Sequence, residues 1–323
     1  MAKPKVLVTR RWPQAVEAKM AEVFDLDLNR ADKPLTVTEL KAALGQYDAV
    51  LPTVTDRLPA AVFDRAGSRT RILANYGVGF AHIDTEAAKA ASITVTNTPD
   101  VLSECTADIA MTLMLMVARR ASEGERELRE GRWTGWRPTH LIGTKVSGAT
   151  LGIIGFGRIG QAMAQRAHFG FGMKILVQNR SAVPAEVLAR YNAVQVPTIE
   201  DLLPECDFVS LHCPGGAANR HLINSHRLDL MRPGAFLINT ARGEVVDEHA
   251  LAQALWFGTI GGAGLDVFER EPQVPEALLG ADNLVLLPHL GSATRETREA
   301  MGFRVLDNLT DFFDGRQPRD RVA

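Results

Sequence analysis

The chain is short of cysteine, of aromatic residues and of net charge, and it has no long apolar run. Its three cysteines, Cys105, Cys206 and Cys213, leave an odd count and no metal-ligand spacing, so reduced, buried thiols are expected. A formal net charge of −2 supplies no basic footprint for nucleic acid. The longest oily stretch, Ile109 to Ala118, is about half of a spanning helix. Lys3 and Lys5 lead directly into Val6-Leu7-Val8, which reads as a first strand with no secretory h-region. Neither a nucleic-acid nor a membrane partner is expected, and the cytoplasm is the expected compartment.

What the chain does have is length and alternation. At 323 residues, 46% hydrophobic and 23% charged, it is a globular protein too long for one comfortable core, so two domains are expected. Short apolar runs alternate with helical segments, the pattern of parallel sheets with crossovers. One series runs through Lys5–Thr9, Phe24–Leu28, Ala49–Leu51, Arg71–Asn75 and Ile93–Thr96. A second begins at Thr150 and continues through Lys174–Gln178, Phe208–Leu211, Ala235–Asn239, Gly264–Val267 and Asn283–Leu287. Between them, Ser103 to about Glu130 reads as one long helix, and Thr294–Phe313 reads as another.

The most telling segment is Leu151-Gly152-Ile153-Ile154-Gly155-Phe156-Gly157-Arg158-Ile159-Gly160. An apolar strand breaks into Gly-x-Gly-x-x-Gly and then into helix formers. Gly155 suits the tight turn, Gly157 leaves the backbone open to a pyrophosphate, and Gly160 lets helix and sheet approach closely. The helix N-terminus then offers unpaired N–H groups to an anion. An NAD site carries an acid about 20 residues later to hold the ribose 2′-hydroxyl. None occurs from Gln161 through Ala185; the second strand ends in Asn179-Arg180-Ser181, a guanidinium beside a hydroxyl that suits a 2′-phosphate. NADP(H) is therefore the expected cofactor, with NAD(H) the weaker alternative.

In doubly wound sheets, ligands lie beyond the carboxyl ends of the strands. There the second series carries His212-Cys213-Pro214, Asn239-Thr240-Ala241-Arg242-Gly243, Asp266 with Glu271 a little further on, and Pro288-His289.

These motifs, with Asn75-Tyr76-Gly77-Val78-Gly79-Phe80-Ala81-His82-Ile83-Asp84 and Gly291-Ser292-Ala293-Thr294, resemble the D-2-hydroxyacid dehydrogenases, and most of all their glyoxylate/hydroxypyruvate reductases. The resemblance implies two doubly wound α/β domains. A Rossmann-type dinucleotide domain (101–291) would be inserted into a flavodoxin-like substrate domain (1–100 and 292–323). It implies a catalytic trio of Arg242, Glu271 and His289. Arg242 would pair with a 2-oxo acid's carboxylate and polarise its ketone, and His289 would give the proton, kept in its acid form by Glu271. Val78 and Gly79 would supply backbone N–H groups to the same carboxylate. Gly155, Gly157, Arg158, Ile159, Gly160, Asn179, Arg180, Ser181, Cys213, Pro214, Thr240, Ala241, Asp266 and Gly291 would line the cofactor. His212 is expected to be structural, and Asn75 and Tyr76 to be scaffolding. Glu rather than Gln at 271 argues against the formate dehydrogenase branch. Phosphite and 3-phosphoglycerate dehydrogenases share the trio and remain rival readings, as does a dinucleotide-sensing corepressor. A homodimer is expected, with Trp133 and Trp136 serving packing, a pocket wall or a subunit contact.

Overall fold

The computed structural model describes residues 2–64 and 67–323. Two compact units emerge: the chain up to Leu102 together with Ala293–Ala323, and Ser103–Ser292.

The first unit holds a parallel sheet of β1 (Lys5–Val8), β2 (Asp25–Leu28), β3 (Ala49–Leu51), β4 (Ile72–Ala74) and β5 (Thr94–Thr96), in the order β2-β1-β3-β4-β5. This is the flavodoxin-type order. β3 and β4 are buried throughout, as strands covered on both faces must be. β2 lies at the edge and alternates Asp with Leu, so its exposed positions carry charge that discourages further pairing. Helices start where side chains can satisfy their first N–H groups. Thr36 and Glu39 form a capping box ahead of Val37–Leu44, and Thr294 accepts from the Thr297 N–H ahead of Arg295–Phe313. Beyond that helix the chain returns antiparallel to β5, with the Val95 N–H donating to Ala323 and the Val322 N–H donating to Val95.

The second unit holds seven parallel strands: β6 (Thr150–Ile154), β7 (Lys174–Gln178), β8 (Ala193–Gln195), β9 (Phe208–Leu211), β10 (Phe236–Asn239), β11 (Gly262–Leu265) and β12 (Leu284–Leu286). Their order is β12-β11-β10-β9-β6-β7-β8, so the winding reverses between β6 and β9. That reversal is the ligand crevice of a Rossmann-type sheet. One apolar cluster gathers Val209, Leu237, Leu251 and Leu265; a second gathers Leu113, Met114, Ile153, Met163 and Ile238.

Three expectations need correction. The long helix is two, Ser103–Ala118 and Ala121–Arg129. The Ala118 carbonyl accepts from the Thr144 N–H at 2.7 Å, and Arg120 turns left-handed at φ 51°, so the i→i+4 ladder stops where the sequence changes from apolar to charged. β11 begins two residues earlier than its apolar stretch suggests. A Cβ at Gly262 would stand 2.5 Å from the Asn283 carbonyl, so a residue that reads as a loop is a close strand contact. β8 was not expected at all: it has three residues at a sheet edge, and Val194 faces solvent.

Candidate active site and cofactor cradle

The glycine turn follows β6 at the reversal. Gly155 has φ +92°, and a Cβ there would lie 2.7 Å from backbone atoms of His212 and Cys213. At Gly160 it would lie 2.3 Å from the Gly155 carbonyl. These two glycines are demanded by the protein's own packing. Gly157 is not, because a Cβ there meets nothing within 4 Å. It stands at the N-cap of the helix Arg158–Gln165, where Arg158 and Ile159 make the first turn. Open space at an uncapped helix N-terminus is what an anion needs.

The 179–181 loop closes against this turn. Asn179 accepts from the Phe156 N–H at 3.1 Å and donates to the Ser181 carbonyl at 3.0 Å. Gln195, on the unforeseen β8, donates to the Ser181 carbonyl and accepts from the Val183 N–H. Arg180 is exposed and has no partner among the described residues, so its guanidinium is uncommitted.

Beyond β9, β10, β11 and β12 the expected polar groups converge. His289 Nδ1 and a Glu271 carboxylate oxygen are 2.8 Å apart, and the other Glu271 oxygen accepts from the Phe268 N–H at 3.1 Å. Burial alone would raise the Glu271 carboxyl, but the His289 hydrogen bond and charge outweigh it and hold the group below its ordinary value. His289 has φ +55°, an uncommon conformation for a non-glycine residue. Asp266 holds it there. Its carbonyl accepts from the His289 N–H at 2.9 Å, and its two carboxylate oxygens take the Leu290 and Gly291 N–H groups at 2.6 and 2.8 Å. Burial keeps Asp266 above the usual carboxylate range, with those N–H groups pulling the other way.

Arg242 completes the cluster. Burial depresses its pKa, while the charges of Glu244 and Glu271 oppose the shift. Its Nη1 donates to the Ala241 carbonyl at 2.6 Å, yet it forms no ion pair among the described residues. A desolvated guanidinium without a carboxylate is a receptor for an outside anion. Arg242, Glu271 and His289 all belong to the second unit.

Val78 and Gly79 belong to the first, in the loop after β4. Asn97 donates to the Val78 carbonyl at 2.8 Å, and Asn75 donates to the Gly77 and Gly79 carbonyls at 2.9 and 3.0 Å.

Residues 111–291 match the D-isomer specific 2-hydroxyacid dehydrogenase NAD binding domain. The whole chain is 45% identical to a glyoxylate reductase from Thermococcus onnurineus, over 98% of this chain and 95% of that one. The chain belongs to the D-2-hydroxyacid dehydrogenases. A second glyoxylate reductase, from Korarchaeum cryptofilum, is 44% identical over 99% of this chain and 96% of the relative. Among solved structures, an NADPH-dependent glyoxylate/hydroxypyruvate reductase from Sinorhizobium meliloti, in complex with NADP and malonate, is similar at TM-score 0.88 and 36% identity, covering 100% of this chain and 97% of that one.

As a D-2-hydroxyacid dehydrogenase the protein is an oxidoreductase of small 2-oxo and 2-hydroxy acids that uses a nicotinamide dinucleotide. The residues present fit that cofactor. Besides the open Gly157, two buried polar atoms at the ends of β9 and β10, His212 Nδ1 and Thr240 Oγ1, have no partner among the described residues. A ligand atom at either place would relieve the cost of an unpaired buried group. Ala241 is buried beside Thr240, and Pro214 is exposed after Cys213. Burial pushes the Cys213 thiol up to about 11, so this dehydrogenase keeps it protonated.

His212 pairs with the Ser210 hydroxyl at 2.8 Å, and burial lowers its pKa to about 4, so it is neutral near pH 7 and poorly suited to give a proton. Several other histidines have partners that sequence did not name: His82 with Asn75, His140 with Glu127, and His221 with Glu269. Glu248 was also missed. Buried at the start of its helix, it accepts from the Glu269 N–H at 2.7 Å and braces the loop that carries Glu271. Its only sequence signal was an acid after the helix cap Asp247. Trp133 and Trp136 are exposed, so neither packs as a core residue of this chain. No group of His, Cys, Asp and Glu among the described residues could hold a metal, and no helix is long and apolar enough to cross a membrane.

Proposed function

We propose that the protein reduces glyoxylate, and hydroxypyruvate with it, using NADPH in preference to NADH. The observation that carries the reading is the His289–Glu271 pair beside a desolvated, unpaired Arg242. Bound NADPH supplies the hydride for the ketone carbon. Arg242 takes the substrate carboxylate and directs a donor at the ketone oxygen, which orients the carbonyl and steadies negative charge as it develops. His289 gives a proton to that oxygen from the ring edge opposite Nδ1, while Glu271 holds Nδ1 and orients the ring. Val78 and Gly79, in the loop after β4, have N–H groups open to an anion. Asp266, through Leu290 and Gly291, keeps His289 in its left-handed turn and presents it.

Cofactor preference rests on Arg180, which has no acidic partner, and on Ser181 in the same loop. Arg180→Ala should weaken NADPH binding about tenfold, as loss of one charge-assisted contact does, and leave NADH nearly unchanged. Equal losses for both cofactors would remove Arg180 from the 2′-phosphate. The deciding experiment is an initial-rate panel of glyoxylate, hydroxypyruvate, pyruvate and phenylpyruvate with each cofactor. Glyoxylate or hydroxypyruvate with NADPH should give the highest kcat/KM; preference for NADH, or no turnover of any 2-oxo acid, overturns the reading. We further propose a homodimer, supported by the exposed Trp133, Trp136 and Ile142, with sedimentation at micromolar concentration as its test.

A further inference from the structure

Three consecutive carbonyls after β4 are tied back into the first unit. The Gly77 and Gly79 carbonyls share the Asn75 side-chain amide, and the Val78 carbonyl takes that of Asn97. In a trans peptide the N–H points opposite to the preceding C=O. The N–H groups of Val78, Gly79 and Phe80 must therefore face away from the two asparagines. None of the three donates to any described atom. Successive uncommitted N–H groups of this kind form an anion-binding concavity.

Both asparagines are themselves fixed. Asn75 is fully buried; the Gly77 and Gly79 carbonyls can only accept, which assigns the NH₂ end of its amide to them, and its Oδ1 lies 3.0 Å from His82 Nε2. Asn97 is held through its backbone: its N–H donates to the Asp320 carbonyl at 3.2 Å, and its carbonyl accepts from Asn308 at 3.3 Å. Asn308 also donates to the Asp320 carboxylate at 2.9 Å, and Arg304 binds both oxygens of that carboxylate. The final helix and the strand-like return after it thus reach the Val78 peptide through one buried polar chain.

We infer that Asn75 and Asn97 are positioning residues: by holding three carbonyls inward they turn three N–H groups outward as the receptor for the carboxylate of a 2-oxo acid, with Asn308 and Asp320 setting Asn97. This rests on the reading of Val78 and Gly79 as carboxylate donors. Neither asparagine touches substrate. Their loss affects an interaction made equally in the ground and transition states, so it appears in KM and not in kcat.

The test compares wild type, Asn75→Ala, Asn97→Ala and Asn308→Ala for glyoxylate kinetics, for inhibition by oxalate, and for NADPH binding by fluorescence. Asn75→Ala and Asn97→Ala should each raise glyoxylate KM and the oxalate inhibition constant about tenfold, with kcat and the NADPH dissociation constant within about twofold of wild type. Asn308→Ala should follow in the same direction with a smaller effect. In wild type, the amide resonances of Val78, Gly79 and Phe80 should shift on adding oxalate in the presence of NADPH. If the buried Asn75 variant does not fold, Asn97→Ala decides. Unchanged KM and oxalate inhibition in a folded Asn97→Ala, or a fall in kcat alone, overturns the inference. Absence of any glyoxylate or hydroxypyruvate reduction in wild type instead overturns the functional reading beneath it.

Discussion

At the scale of single residues, acid–base behaviour separates His289 from His212. His289→Ala should lose about 10²- to 10⁴-fold in turnover while NADPH affinity stays near wild type, because a general acid is used only in the chemical step. Near wild-type rates in that variant would sink the assignment. Glu271→Gln keeps the shape but removes the carboxylate held against His289 Nδ1, so turnover should fall while NADPH affinity stays near wild type. Unchanged turnover would separate Glu271 from proton transfer. His212 acts on stability instead. Its folded pKa of about 4 lies below the ordinary 6.5, so between those values the unfolded chain binds a proton that the folded chain refuses. Its contribution is complete above pH 6.5 and is lost as pH falls toward 4. Urea unfolding at pH 7 and pH 5 should therefore give a smaller drop in stability for His212→Asn than for wild type; equal drops would mean that His212 is not the group responsible.

Whole elements respond to backbone approach. A Cβ at Gly160 would press on the Gly155 carbonyl at 2.3 Å, so Gly160→Ala should lift the helix Arg158–Gln165 from the turn and weaken NADPH binding along with thermal stability. Gly157→Ala meets no protein atom, so it should weaken NADPH and leave stability unchanged. Equal effects on both properties in both variants would contradict the cradle. Most elements of this kind were legible in the sequence because their signals are local: Thr36 and Thr294 cap helices, β7 and β9 are short and mostly apolar, and the glycine turn sits between strand and helix. What was not legible depends on distant partners. The helix break at Arg120 needs Thr144, the early start of β11 needs Asn283, and β8 has too little apolar surface to announce itself. The same holds at the site. Arg242, Glu271 and His289 stood out at strand ends, whereas Asn97, Gln195 and Glu248 act through backbone groups far away in sequence and carry no motif.

At the scale of the whole molecule, two compact units predict a divided response to ligand. A cofactor bound at the glycine turn stabilises the unit that holds it in proportion to ln(1 + [L]/Kd). Hydrogen exchange with saturating NADPH should slow amides of β6, β7, β9 and β10 much more than those of β1 to β4, and equal slowing of both sheets would argue against a cofactor site confined to the second unit. The interrupted first unit also bears on how the chain is made. During synthesis Lys5–Thr96 leaves the ribosome early, yet Arg295–Phe313 and the return along β5 are translated only after all of Ser103–Ser292. The inserted unit can finish folding while the first still lacks the segment that covers part of it. Val16, against which Gly302 packs closely, is one of the apolar residues left waiting. The first unit, begun before the inserted one, is thus completed after it, and its apolar surface stays open until the last helix arrives.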